Sequence, residues 1–128
     1  MSRVRARGNR STEWRLRSAL MREGIRGWEL HVRSLPGVPD IVFERTKLAI
    51  FIDGCFWHAC SRCARPLPIT NHEYWVNKIQ GNQRRARNVN RALRASGFHV
   101  IRVWEHELRS PSHVRRIVTR VLRRVKEG

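Results

Sequence analysis

Lysine is almost missing from this chain of 128 residues, with only Lys47, Lys78 and Lys126 present, so all but three of its 27 basic residues are arginines. Acids are scarce as well: ten Asp and Glu leave a formal charge of +17. That excess calls for an acidic partner, and arginine's planar fork suits phosphate and base edges better than a lysine point charge does. No apolar run approaches the ~20 residues a membrane helix needs. A membrane-surface protein would concentrate its cations beside one apolar helical face, whereas these arginines run from Arg3 to Arg124. Nucleic acid is therefore the expected partner, with no membrane. The basic start MSRVRARGNR has no apolar segment behind it, so a cytoplasmic, nucleoid-associated protein is expected. All three cysteines lie between Cys55 and Cys63, an odd number in one short stretch, which speaks against a disulfide framework and for metal ligation. Repeats, low-complexity tracts and Pro/Gly-rich linkers are lacking. With a hydrophobic fraction of 41%, the chain reads as one compact domain.

Periodicity then orders the elements. Ser11 and Thr12 are cap candidates for a helix reaching about Arg22, with Trp14, Leu16, Ala19, Leu20 and Met21 as its apolar positions. Three extended runs follow: Trp28, Leu30 and Val32 alternate, Ile41 to Phe43 is short and apolar, and Leu48 to Ile52 is continuous enough for a central strand. From Gly54 to Asn71 the chain is irregular and holds every cysteine. Glu73 to about Ser96 reads as a helix stopped by Gly97, Phe98 to Trp104 as a strand, and Val114 to Val125 as an amphipathic helix with arginines on its polar side. This order predicts an α/β domain, a mixed sheet flanked by helices.

Three groups of residues carry chemistry. Cys55, Cys60 and Cys63, spaced C-x4-C-x2-C, can converge on Zn²⁺ if a fourth ligand arrives from elsewhere. His58, His72 and His106 are candidates; His106 is favoured, because neighbouring strands would bring the end of Phe98–Trp104 beside Cys55. Four protein ligands would make the zinc structural. The second group is Asp40 at the start of one strand, Asp53 near the end of the next, and Glu13 on the first helix. Carboxylates at facing strand ends can hold Mg²⁺ against a substrate phosphate, although aspartates there are commonly turn residues. His58 could act as a general base near neutral pH, or serve as a zinc ligand or loop histidine. The third group is aromatic: Phe56 and Trp57 on the irregular loop and Trp75 at the next helix can stack on or wedge between bases. Trp14, Trp28 and Trp104, on periodic apolar faces, are expected in the core.

The segment Leu35-Pro36-Gly37-Val38-Pro39-Asp40, followed by Phe51-Ile52-Asp53-Gly54-Cys55-Phe56-Trp57-His58, resembles the very short patch repair (Vsr) mismatch endonucleases. Thr70 to Trp75, Lys78-Ile79 with Asn82, and Val103-Trp104-Glu105 extend the resemblance over nearly the whole chain. It implies a restriction-endonuclease-like fold related to the PD-(D/E)XK nucleases, a structural zinc loop, and Mg²⁺-dependent nicking of double-stranded DNA 5′ of a thymine mispaired with guanine. By the same resemblance Asp40 binds the catalytic metal together with the backbone carbonyl of Ile52, and His58 is the catalytic histidine. Glu13 is the family's helix glutamate, Cys55, Cys60, Cys63 and His106 are the zinc ligands, and Phe56, Trp57 and Trp75 the intercalating aromatics. A protein of this kind would work as a monomer on DNA, with residues 1–10 as a basic amino-terminal arm and 11–128 as the endonuclease domain.

The chain departs from the family pattern in places. Ala86 stands where family members often have an aspartate that would orient the histidine. Phe51 and Asp53 occupy the places of the (D/E)XK acid and lysine, and the arm is short. Ala86 keeps a rival reading in view, a zinc-stabilised, non-catalytic module that binds distorted DNA. A ββα-metal nuclease fits worse, since it leaves the apolar strands unexplained.

Overall fold

The structure, a computed structural model, describes residues 2–55 and 67–127, with backbone alone for residues 2–10 and 127. The helix α1 (Ser2–Arg22) leads into β1 (Glu29–Leu30), β2 (Ile41–Phe43) and β3 (Leu48–Asp53). Then come α2 (His72–Ala95), β4 (His99–Trp104), a 3₁₀ turn over Glu105–Arg109, and α3 (Pro111–Glu127). The sheet runs in the order β1-β2-β3-β4, antiparallel at its first two pairings and parallel between β3 and β4. This is the expected mixed α/β sheet flanked by helices.

Alternation along β3 builds two cores. Leu48, Ile50 and Ile52 face one side with Ile101 and Val103 of β4, and there they meet Leu16, Ala19 and Leu20 of α1 and Ile117, Val118 and Val121 of α3. Ala49 and Phe51 face the other side, where Leu93 of α2 and Phe98 close a smaller cluster. A strand apolar at every position from Leu48 to Ile52 is thus explained by cover on both faces. The parallel β3/β4 register pairs Ile50 with Ile101 and Asp53 with Trp104, so both strands end at the same edge of the sheet.

Three expectations change. α1 does not start at Ser11 or Thr12: it is helical from Ser2, because Arg and Ala are strong helix formers, and Thr12 is an interior, buried residue. Trp14 is not in the core but 55% exposed. The buried stripe of α1 runs through Thr12, Glu13, Leu16, Ala19 and Leu20, and Trp14 lies off it, on the same face as Met21 two turns on, which is also exposed. Arg17 lies over its ring, 5.1 Å from the centroid. Trp28 does pack on the core, edge-on to Phe43 at 6.0 Å, and Trp104 is half-buried. Finally, the alternating run Trp28–Val32 yields only two strand residues, since His31 turns into the left-handed region at φ 50°.

A tight loop after β1 aims the next segment. Gly37 has φ +74°, and a Cβ there would meet Val89 Cγ1 of α2 at 2.7 Å. Only glycine lets Leu35–Pro39 lie this close to α2 and deliver Asp40 to the head of β2.

Candidate metal and phosphate site

Three elements meet at the end of β3. α1 contributes Glu13, 7% exposed; the residue after β1 contributes His31; and the residue before β2 contributes Asp40. One oxygen or nitrogen from each lies within 4.8 Å of the other two. His31 Nε2 is 3.2 Å from Glu13 Oε1, and His31 Nδ1 is 3.9 Å from Asp40 Oδ1. Arg17, one turn along α1, adds a 3.7 Å ion pair to Glu13 Oε2. The left-handed backbone at His31 is what turns its ring toward the two carboxylates, a conformation in which histidine is enriched over most residues. Two acids and an imidazole from separate elements form a donor set that could hold a divalent cation.

Backbone geometry fixes Asp40. Its N–H donates to the Ile50 carbonyl at 3.0 Å, and its Oδ2 accepts the Ile52 N–H at 2.7 Å. A strand residue directs N–H and C=O to the same edge, so the Ile52 carbonyl also faces the Asp40 side. Burial, opposed by the Ile52 N–H and increased by the charges of Glu13 and Asp53, raises the Asp40 carboxyl from 3.8 to about 6. A site that binds a proton this readily holds negative charge poorly by itself, and a shared cation would relieve it.

Asp53 stands apart from this cluster. Its Oδ1 accepts from Arg102 Nη1 at 2.8 Å, and Arg102 was not singled out from the sequence. His31 was also missed: it carried no motif, and it sits as an ordinary polar position within the alternating run Trp28–Val32. A pocket of about 210 Å³ opens beside Asp40, lined among others by Ile52, Asp53, Asn82, Arg85 and Arg102. Ala86 lines it too, so the position expected to hold a carboxylate offers only a methyl group.

At the same sheet edge Cys55 Sγ lies 3.3 Å from His106 Nδ1. Cys55 follows β3 and His106 follows β4, so their meeting is a consequence of the parallel register. Two such ligands on a tetrahedral zinc would be about 3.5 Å apart, given Zn–S and Zn–N bonds of about 2.3 and 2.0–2.1 Å. The pair therefore fits a zinc site. The Cys55 N–H is held by Glu105 Oε1 at 3.4 Å. Cys60, Cys63, His58, Phe56 and Trp57 lie outside the described residues. Trp75 is half-buried in the first turn of α2, edge-on to Tyr74 at 5.2 Å, and Tyr74 is 58% exposed. No helix among the described residues is long and apolar enough to cross a membrane.

A family model, DNA mismatch endonuclease Vsr, matches residues 1–65. The type II nicking enzyme V.NaeI of Lentzea aerocolonigenes is 47% identical over 105 residues, 79% of this chain and 63% of its own length. The type II nicking enzyme V.XorIIP of Xanthomonas oryzae pv. oryzae is 41% identical over 108 residues, 84% of this chain and 78% of that protein. The DNA mismatch endonuclease Vsr of Escherichia coli K12 is 38% identical over 108 residues, 83% of this chain and 69% of that protein. The chain thus spans less than two thirds of V.NaeI but more than two thirds of the other two.

Proposed function

Since this chain belongs to the family of the DNA mismatch endonuclease Vsr, we propose that it is a Mg²⁺-dependent nickase that hydrolyses the phosphodiester 5′ of a thymine mispaired with guanine. The observation that carries this reading is the convergence of Glu13, His31 and Asp40 within 4.8 Å in a chain of net charge +17. The names of the relatives, nicking enzymes and a mismatch endonuclease, favour cutting over a module that only binds.

Asp40 and Glu13, with the Ile52 carbonyl, would hold the Mg²⁺, all oxygen donors of the kind that ion prefers. When bound, the ion supplies positive charge against the phosphoryl oxygens as the phosphate becomes pentacovalent. His31, an imidazole, suits Mg²⁺ poorly as a ligand; its 3.2 Å contact to Glu13 serves instead to fix that carboxylate. His58 takes the proton from the attacking water as general base. Ala86 gives it no carboxylate to orient it, so a lower rate than in members that carry the aspartate is expected. Cys55, Cys60, Cys63 and His106 hold a structural zinc, and Phe56, Trp57 and Trp75 enter the base stack at the mismatch, with the protein acting as a monomer.

The experiment is to incubate wild type and Asp40→Ala with T·G heteroduplex and matched duplex, each with Mg²⁺, Mn²⁺ or EDTA. Wild type should nick the thymine strand of the heteroduplex only with metal, and Asp40→Ala should bind equally or slightly better without nicking. Wild type that binds heteroduplex tightly yet nicks nothing with either metal would sink the proposal.

A further inference from the structure

β4 carries one cation across the sheet from its surface role. Arg102 pairs in register with Phe51 and points to the α2 side, its guanidinium 4.0 Å above the Phe51 ring. Its Nε donates to Asn90 Oδ1 of α2 at 2.7 Å and its Nη1 to Asp53 Oδ1 at 2.8 Å. The side chain is only 19% exposed. Most arginines among the described residues are exposed; this one is held on three sides before any ligand arrives.

The fixing leaves a donor edge unused. Arginine has five N–H groups, and the two hydrogen bonds occupy one on Nε and one on Nη1. The remaining three have no partner among the described residues. The side chain lines the pocket that also contains Asp40 and Ile52, with Arg85 across from it donating to Asn82 Oδ1 at 3.2 Å. The charged residues of that pocket are Asp40 and Asp53 against Arg85 and Arg102, which balance. A divalent cation held by Asp40 and Glu13 would tip that balance to a net charge of +1, a place for an anion.

We propose that Arg102 is a preorganised phosphate-binding residue, whose open guanidinium edge receives a non-bridging oxygen of a DNA phosphodiester at or beside the nick. Asp53 and Asn90 are its positioning residues: they hold the fork, and stacking on Phe51 sets its plane. Because its rotamer is already fixed, contact with phosphate loses little side-chain freedom, which is the advantage of an arginine fork over a solvated lysine. The assignment rests on reading the neighbouring carboxylates as the cutting site. The competing explanation is that Arg102 only neutralises Asp53.

A scan of single methylphosphonate linkages, each uncharged, across the nick region of a T·G duplex separates the two. Dissociation constants are measured for wild type, Arg102→Met and Arg102→Lys with Ca²⁺ in place of Mg²⁺, so that binding is read without turnover. On the all-phosphate duplex Arg102→Met should bind roughly 10–100-fold more weakly, the effect of one charge-assisted hydrogen bond. At one linkage, at or next to the nick, that difference should vanish, because wild type has already lost the same contact. Arg102→Lys keeps the charge beside Asp53 but loses the fork, so it should show a smaller defect that vanishes at the same linkage, and it stands in if Arg102→Met does not fold. Losses that add at every linkage for both variants would overturn the assignment and leave Arg102 as a partner for Asp53. Failure of wild type to nick DNA would sink the endonuclease reading, while the scan, a binding measurement, still decides Arg102.

Discussion

Asp40→Asn should stabilise the metal-free protein at neutral pH while abolishing its cutting. Burial first, then Glu13 and Asp53, raise the Asp40 carboxyl from 3.8 to about 6, so between those values the folded state binds more protons than the unfolded chain. Stability therefore falls as pH rises through that window. A shift of about two units at 1.36 kcal/mol per unit amounts to about 3 kcal/mol at pH 7.5. Asn has no charge to bury, and its Oδ1 can still accept the Ile52 N–H that Asp40 accepts at 2.7 Å. Urea denaturation in EDTA should show the two proteins nearly equal near pH 3.5, and the variant more stable by up to about 3 kcal/mol at pH 7.5. Adding Mg²⁺ should narrow the gap by stabilising wild type alone, since a ligand that binds only the folded state adds RT ln(1 + [L]/Kd). A variant less stable than wild type at pH 7.5, or a gap independent of pH, would refute the argument and make Asp40 an ordinary turn residue.

Zinc should copurify at one equivalent, and Cys55→Ser or His106→Ala should lower the melting temperature, because metal binding energy is folding energy; metal-free protein of unchanged stability would remove the site. DNA affinity should fall steeply with salt, a log–log slope of several units as counterions are released by a chain of charge +17, and a flat titration would argue against phosphate contacts. Gly37→Ala should cost about 1–3 kcal/mol in denaturant unfolding, from a positive φ and a Cβ 2.7 Å from Val89, and an unchanged midpoint would show that the loop can move away. Ala86→Asp should raise the single-turnover nicking rate more than it changes affinity; a variant no faster than wild type would mean that His58 needs no carboxylate at that place.

Local pattern was enough for much of this fold. The apolar run Leu48–Ile52 was continuous enough to read as a central strand, and it lies between clusters on either side. The amphipathic repeat of α3 buries Ile117, Val118 and Val121 as its period requires. The placement of His106 beside Cys55 followed from expecting β3 and β4 as neighbours, and the 3.3 Å contact bears it out. Asp40 and Glu13 were legible through motif and resemblance, and the structure brings them together.

Charge, the order of elements along the chain and motif spacing were thus properties of the sequence by itself, because each depends on composition or on residues close along the chain. The tertiary structure decided what those could not. Trp14 shares a helix with Leu16 and Leu20 yet faces water, since the angle of the buried stripe depends on where α1 rests on the sheet. His31 joins Glu13 and Asp40 only through a left-handed backbone at the end of β1. Arg102 is 49 residues from Asp53 and 12 from Asn90, and no periodicity links them. It is the parallel register that places Arg102 opposite Phe51 and brings a strand arginine to the edge of the carboxylate pocket. Register is set by burial over the whole sheet, with every side chain of β4 committed at once, and so a site assembled from strand ends becomes visible only when the sheet is formed.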